Sequence, residues 1–222
     1  SKIFLSPEEQ VVAVVGAGYW GKNLVRNFHQ LGALAAVAES DPGRRQAMAE
    51  AYPGVPVHAG LEQVLDQDGV RALAISTPAE SHGDLVARAL AAGRHVFVAK
   101  PIAVDVPGCR TIGDSGKKAT EKKLVFLVDF QTRTSEFYRE AVRRVHSGDI
   151  GKYAMVQADY QTGGTWGNAD FSDPEERLKN WGATQALSGD IIVEQNIHAL
   201  DVATWFVDAD PIRACGTGGR KV

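Results

Sequence analysis

VVAVVGAGYWGKN, residues 11–23, is the stretch that decides the fold. The apolar run 11–15 is too hydrophobic to face water on either side, so it reads as a buried strand of a parallel sheet. It stops at a glycine, and the pattern G-x-G-x-x-G follows at Gly16, Gly18 and Gly21. From 20 to 31 the apolar residues recur at helical spacing. Strand, glycine turn and helix in that order give the hexapeptide its meaning as a dinucleotide cradle. Gly16 allows the turn, Gly18 lets a pyrophosphate approach the backbone, and Gly21 brings helix and strand close. The unpaired N–H groups at the helix start then face the phosphates. Tyr19 and Trp20, lying between these glycines, are counted with the cofactor site.

Such a cradle calls for an acidic residue about 20 positions on, at the end of the second strand. Glu39 stands there, directly after the apolar run Leu34–Ala38. Its carboxylate suits two ribose hydroxyls and repels a 2′-phosphate, which favours NAD over NADP. Arg44 and Arg45 weigh the other way, since either side chain can hold a phosphate.

Outward from the cradle, apolar strands alternate with helical stretches. The strands are expected at Leu34–Ala38, 55–58, Ala72–Ile75, His95–Val98 and 124–128, with helices at Pro42–Ala51 and 84–92. This alternation is that of an α/β protein with a doubly wound parallel sheet. Past about residue 130 the pattern changes. A helix is expected at 134–146, a strand at 153–160, a weakly periodic stretch at 162–189, a long helix at 190–207 and a last strand at 212–217. The division drawn is a dinucleotide-binding Rossmann domain over 1–125 and a partial substrate and oligomerisation domain over 126–222.

Composition sets outer limits. The chain has 222 residues, 44% hydrophobic and 23% charged, with a net charge of −3. That leaves no electrostatic case for nucleic acid or an acidic membrane surface. No apolar run nears the roughly 18 residues of a membrane span, and no signal peptide is visible. The expected location is the cytoplasm, with export after removal of a signal as the alternative. Cys109 and Cys215 form no metal or redox spacing and are expected to be small buried hydrophobes.

Three places carry candidate chemistry. Ser76-Thr77-Pro78 closes the fourth strand at the edge where open α/β sheets bind ligands. His82 begins the next helix, either as a cofactor contact or as a helix-start residue bonded to backbone. Lys100-Pro101 closes the fifth strand, and an ammonium there can bind a reacting hydroxyl and stabilise charge developing on its oxygen. On the long helix, Glu194, His198, Asp201 and Trp205 recur at helical spacing. The stripe is a solvated face, a metal site, or an acid–base histidine oriented by a carboxylate; no metal is assigned. Arg133 is read equally as an anion contact or a carboxylate partner. The segment from Trp166 to Trp181 is the expected substrate loop.

Together VVAVVGAGYWGKN (11–23), AISTPAESH (74–82), GRHVFVAKPIAVD (93–105) and SGDIIVEQNIHALDVATW (188–205) resemble the Gfo/Idh/MocA oxidoreductases. The resemblance spans essentially the whole chain. It implies a Rossmann domain followed by an α/β domain with a mainly antiparallel sheet, which carries the substrate and a homo-oligomer interface. It implies hydride transfer between NAD(P) and a CH–OH carbon of a sugar, inositol or sugar derivative. Lys100 matches the lysine of a Glu-Lys-Pro motif, and Glu194 and His198 match a D-x-x-x-H pair; with the carboxylate orienting them, Lys100 and His198 are the implied catalytic residues. Two departures stand out. Ala99 replaces the glutamate before Lys100, and Glu194 replaces the aspartate. The chain is also shorter than the family's usual length. Residues 9–95 resemble members acting on nucleotide-linked amino sugars, and 96–222 an often exported branch, so a truncated or fused chain is an expectation too. The competing functions are NAD-dependent glycoside cleavage by oxidation and elimination, and a non-catalytic NAD-binding module.

Overall fold

The computed structural model describes residues 10–161 and 170–218, which fall into two compact units. The first holds 10–129 and 170–194; the second holds 130–161 and 195–218.

The first unit is built on one six-stranded parallel sheet. Its strands are β1 (Val12–Val15), β2 (Leu34–Ala38), β3 (Val57–His58), β4 (Ala72–Ile75), β5 (His95–Val98) and β6 (Phe126–Val128), in the order β3-β2-β1-β4-β5-β6. All six expected strands form. The sheet runs past the boundary expected at 125. Because strand side chains alternate, each strand feeds two cores. On one face Ala13, Val15, Leu73, Ile75, Val96 and Val98 pack with Val86, Ala89 and Leu90 of α4 (His82–Ala91) and Ile112 and Ala119 of α5 (Val106–Glu121). On the other face Val14, Val37 and Ala74 pack with Leu24 and Val25 of α1 (Gly21–Gln30), and α2 (Pro42–Ala51) adds Met48. A sheet covered on both faces needs strands that are apolar throughout, which is why the six runs read so plainly. A further short helix, α3 (Leu61–Leu65), buries Leu61 and Val64. The strand order turns back between β1 and β4, so their carboxyl ends border the crevice where such sheets take ligands.

Cys109 lies on α5 but off the stripe Ile112, Ser115 and Ala119 that this helix buries, and it is exposed. Cys215, in the other unit, is exposed as well. Both differ from the buried hydrophobes expected. The lysine cluster 117–123 sits at the solvated end of α5, as its charge requires.

Within the weakly periodic stretch, Trp166 lies outside the described residues. The remainder forms α7 (Pro174–Lys179), a 3-10 turn Trp181–Ala183 and α8 (Gln185–Ser188), all too short to show a period. In the second unit α6 (Glu136–His146) follows a 3-10 turn at Gln131–Thr134, and α9 (Ile197–Val207) follows a π-helical turn at Ile192–Asn196 whose first three residues belong to the first unit. The expected strands at 153–160 and 212–217 do not form. A strand is held by a paired neighbour, and the described residues supply none to either segment. No helix among the described residues is long and apolar enough to cross a membrane.

Candidate active site

The cradle is formed as the glycines require. Gly16 has φ +89°, a left-handed backbone that residues with a side chain rarely adopt. A Cβ on Gly21 would lie 1.9 Å from the Gly16 carbonyl oxygen and 2.6 Å from Ser76 Oγ, so only glycine lets α1 start this close to β1. A Cβ on Gly18 would meet nothing within 4 Å, which leaves the backbone open to a ligand. No side chain caps the start of α1. Its Lys22 and Asn23 N–H groups donate instead to the Gly18 and Trp20 carbonyls, and the partial positive charge of the helix start still favours an anion there. Tyr19 and Trp20 are exposed beside this opening, with the Lys22 ammonium 5.5 Å from the Tyr19 ring.

Glu39 stands directly after β2 at the same edge of the sheet. It is only 4% exposed. Ala17 N–H donates to its Oε2 at 2.7 Å, and Asp41 N–H to its Oε1 at 2.9 Å. The Arg44 guanidinium adds a contact to Oε1 at 3.2 Å. Burial alone pushes this carboxyl up, but the Asp41 and Ala17 donors and Arg44 together outweigh it and hold the group below the usual carboxylate range. Arg45 donates to the carbonyls of Glu39 and Ser40. Both arginines are therefore directed at the turn itself.

Across the crevice, Ser76 Oγ donates to the Gly16 carbonyl at 2.8 Å and ties the ends of β4 and β1 together. Thr77 Oγ1 pairs with Ser81 Oγ at 2.6 Å, around the exposed Pro78. His82 is 1% exposed, and its ring nitrogens each lie 2.8 Å from a carbonyl oxygen, that of Thr77 and that of Pro101. Burial lowers its proton affinity and the two carbonyls pull it back part of the way. Of the two readings of His82, the structure has the backbone-bonded one; the ring joins the loop after β4 to the loop after β5.

That second loop presents Lys100. Its Nζ donates to Glu194 Oε1 at 2.9 Å and also to the Glu194 carbonyl oxygen. The preceding sequence explains the placement: Lys100 leaves β5 at the carboxyl edge, beside a buried Pro101. Glu194 is 7% exposed, and burial pushes its carboxyl up against the opposing pull of Lys100. Its Oε2 is buried with no hydrogen-bond partner among the described residues. Lys100 and Glu194 thus come together within the first unit although 94 residues separate them. Sequence reasoning did not single out Asp129, which follows β6, donates its N–H to the Val98 carbonyl at 2.9 Å, and has its carboxyl pushed up by burial against the opposing influence of the Trp20 side chain and the Lys100 charge. The one signal it gave was a charged residue at the exit of an apolar strand.

The second unit carries the other candidates. His198 is buried, stacked on Tyr160 with ring centroids 5.5 Å apart and edge-on to Phe130 at 6.3 Å. Arg133 takes its carboxylate partner: Nη2 lies 2.8 Å from Asp201 Oδ1, and the guanidinium sits 5.0 Å from the Trp205 ring centre. Trp181 opens its 3-10 turn half-buried, in the first unit. The π turn over Ile192–Asn196 is bonded i to i+5, so the 3.6-residue period assumed for the polar stripe is interrupted before α9.

Against models of known families, residues 11–130 match the Gfo/Idh/MocA oxidoreductase family's NAD-binding Rossmann fold. The chain belongs to that family. Residues 138–222 match the Gfo/Idh/MocA C-terminal domain. A scyllo-inositol 2-dehydrogenase (NAD(+)) of Bacillus subtilis is 30% identical over 217 residues, which is 95% of this chain and 58% of the relative. An inositol 2-dehydrogenase of Klebsiella pneumoniae is 29% identical over 90% of this chain and 55% of its own length. Among solved structures, scyllo-inositol dehydrogenase from Lactobacillus casei with bound NAD(H) and scyllo-inositol superposes with a TM-score of 0.68 at 27% identity, covering 88% of this chain and 55% of that one. The chain therefore spans somewhat more than half the length of the relatives it matches.

Proposed function

We propose that this Gfo/Idh/MocA chain works as an NAD-dependent dehydrogenase on a CH–OH carbon of an inositol or related sugar. The observation that carries the reading is Lys100 at the carboxyl edge of the sheet, half-buried and paired with Glu194, on the edge that also carries an open glycine cradle. The residues fit a dinucleotide: an unobstructed Gly18, an uncapped helix start and a carboxylate at the ribose position. Gly16, Gly18, Gly21 and α1 would hold the pyrophosphate and Glu39 the ribose, with Tyr19, Trp20, Ser76, Thr77 and Pro78 around them. With Glu39 at the end of β2 and both arginines held at its turn, NAD is favoured over NADP. When bound, NAD supplies the acceptor for hydride.

The protein's own part is proton handling and orientation. Lys100 binds the substrate hydroxyl and stabilises negative charge as it develops on that oxygen. Glu194 fixes the ammonium. His198 takes the hydroxyl proton, a role suited to an imidazole. Arg133, Asp201 and the aromatic residues Trp166 and Trp181 are assigned to the substrate's other hydroxyls. The inositol dehydrogenases among the relatives support the cyclic polyol as substrate class.

The second domain is proposed to contribute to a mainly antiparallel sheet and to form a homo-oligomer through it. Exposed Tyr153, Met155, Val156 and Ile212 are the apolar surface such a sheet would cover. Two exposed free thiols suit a reducing compartment such as the cytoplasm. The test is NAD-linked oxidation of myo- and scyllo-inositol, followed by nicotinamide absorbance. Lys100→Ala and His198→Ala should each abolish it; full activity in both would discard the assignment. Sugar release without accumulating NADH would favour oxidation–elimination instead.

A further inference from the structure

Among the described residues of the first unit, His82 is the buried titratable side chain that the proposed reaction leaves without a role. It is shut off from water, so its ring nitrogens must find their partners inside the protein. Nε2 lies 2.8 Å from the Thr77 carbonyl oxygen and Nδ1 2.8 Å from the Pro101 carbonyl oxygen. These carbonyls belong to two different loops. The Thr77 loop is joined to the glycine cradle: Ser76 Oγ donates to the Gly16 carbonyl, and a Cβ on Gly16 would lie 2.9 Å from Thr77 Cγ2. Thr77 therefore rests directly on the turn. The Pro101 loop carries Lys100. Ala99 N–H is still on the ladder, donating to the Ile75 carbonyl at 2.9 Å. Two residues on, Pro101 has no N–H to give, so its carbonyl is the backbone group by which it can be held. His82 stands between the turn that would take a dinucleotide and the residue next to the lysine.

Both partners of the ring are acceptors, and this decides what it can do. A neutral imidazole has one N–H and bonds one of the two carbonyls; an imidazolium has two and bonds both. Burial lowers the ring's proton affinity, and the Thr77 and Pro101 carbonyls recover only part of the loss. The neutral ring, bonded to one loop, is the form at neutral pH, and acid supplies the second bond. Charged groups on the surrounding elements are engaged elsewhere. Glu80 before α4, and Cys109 and Arg110 at the start of α5, are exposed. Asp84 pairs with Arg88, Asp105 accepts from the Gly108 N–H, and Lys100 is paired with Glu194. His95 begins β5 at the opposite edge of the sheet.

We propose that His82 is a positioning residue for Lys100, a tie completed by a proton between the loop resting on the glycine turn and the loop carrying the lysine. This rests on the NAD-dehydrogenase reading for its purpose, but not for its geometry. Neutral, the ring leaves one loop free to adjust; protonated, it locks both. Two substitutions separate these states. His82→Gln, with an amide donor and an amide oxygen, reproduces the neutral ring and cannot gain the proton. His82→Leu fills the space and bonds neither carbonyl.

The test is amide hydrogen exchange, read by mass spectrometry over segments 76–81 and 99–104 of the NAD-free chain and corrected for the intrinsic effect of pH. NMR of the His82 ring nitrogens follows its protonation in parallel. In the wild type the ring takes its second proton with a midpoint below the ordinary histidine range. Through that midpoint the less protected segment slows about tenfold, the gain of one hydrogen bond. His82→Gln keeps the wild-type pattern at neutral pH and does not slow in acid. His82→Leu exchanges about tenfold faster in at least one segment at neutral pH and does not slow either. Its kcat with inositol falls about tenfold or more and is largely rescued in His82→Gln, while NAD affinity by calorimetry moves about threefold or less. A merely structural role would not give that rescue and that split. If His82→Leu melts far below the wild type, the acid response of the wild type against His82→Gln decides. Exchange that follows neither pH nor substitution overturns the proposal, as does a ring that takes its proton while both segments stay unchanged. A response that follows His82 in a chain with no NAD-linked oxidation upholds the tie and overturns the dehydrogenase reading.

Discussion

The two ends of the sheet's carboxyl edge are built on opposite principles. At the Glu39 end the polar groups are already satisfied. Both oxygens of Glu39 carry N–H donors, and the Ser76 hydroxyl is bonded to Gly16. At the Lys100 end a half-buried ion pair keeps one carboxylate oxygen, Glu194 Oε2, without a partner among the described residues, and burial pushes Glu194 up. An unpaired buried acceptor costs about 1–3 kcal/mol, which a well-packed binding surface would not retain without use. The contrast teaches where binding and chemistry divide: a finished cradle needs only to receive a ligand, whereas an unfilled acceptor beside an ammonium can take part in proton movement.

Substitutions that strike one end alone break or sharpen this division. The largest effect is expected from Lys100→Ala. Turnover with inositol should fall roughly 10²–10⁴-fold, as for loss of a group acting on the reacting hydroxyl, while NAD affinity by calorimetry changes about threefold or less. Equal loss of both would erase the distinction between the two ends. Next comes Gly21→Ala, whose Cβ would collide with the Gly16 carbonyl at 1.9 Å. It should destabilise the chain by at least about 1–3 kcal/mol in denaturant melts and abolish NAD binding.

Glu39→Gln follows. It trades charge-assisted acceptors for a neutral amide and should cost about 1–3 kcal/mol near neutral pH. The sign of its pH dependence is fixed by the lowered folded-state proton affinity. The contribution is present above the ordinary carboxylate range and is lost as pH falls through the lowered folded value. The gap in melting temperature between wild type and Glu39→Gln should therefore narrow in acid. The smallest change in stability is expected from Gly18→Ala, where the added Cβ meets nothing within 4 Å. Folding free energy should move by about 0.5 kcal/mol or less. NAD affinity should nevertheless drop, because the methyl group stands where the pyrophosphate approaches the backbone.

The sequence carried the first unit far better than the second, and the reason is physical. A parallel sheet buried on both faces demands strands that are apolar at every position, and all six runs could be read from that demand alone. Gly16, Gly21 and Glu39 were legible because turn geometry restricts the residue at each place. The stretches 153–160 and 212–217 show strand-like composition, yet a strand exists only with a partner, which composition does not reveal. The π turn before α9 hid in a run of helix formers, since one extra residue per turn leaves no mark on propensity. The pairing of Lys100 with Glu194 was signalled only as two separate motifs.

The central claim is that this site moves hydride from a polyol carbon to NAD. Its most direct test is isotopic: the chain is incubated with NAD and scyllo-inositol deuterated at its ring carbons, and the recovered nicotinamide is analysed by mass spectrometry. The account predicts transfer of one deuterium per turnover to the nicotinamide in the wild type, and none in Lys100→Ala under the same conditions. A wild-type chain shown by calorimetry to bind NAD, yet transferring no deuterium from any of a panel of deuterated inositols and sugars, would contradict it.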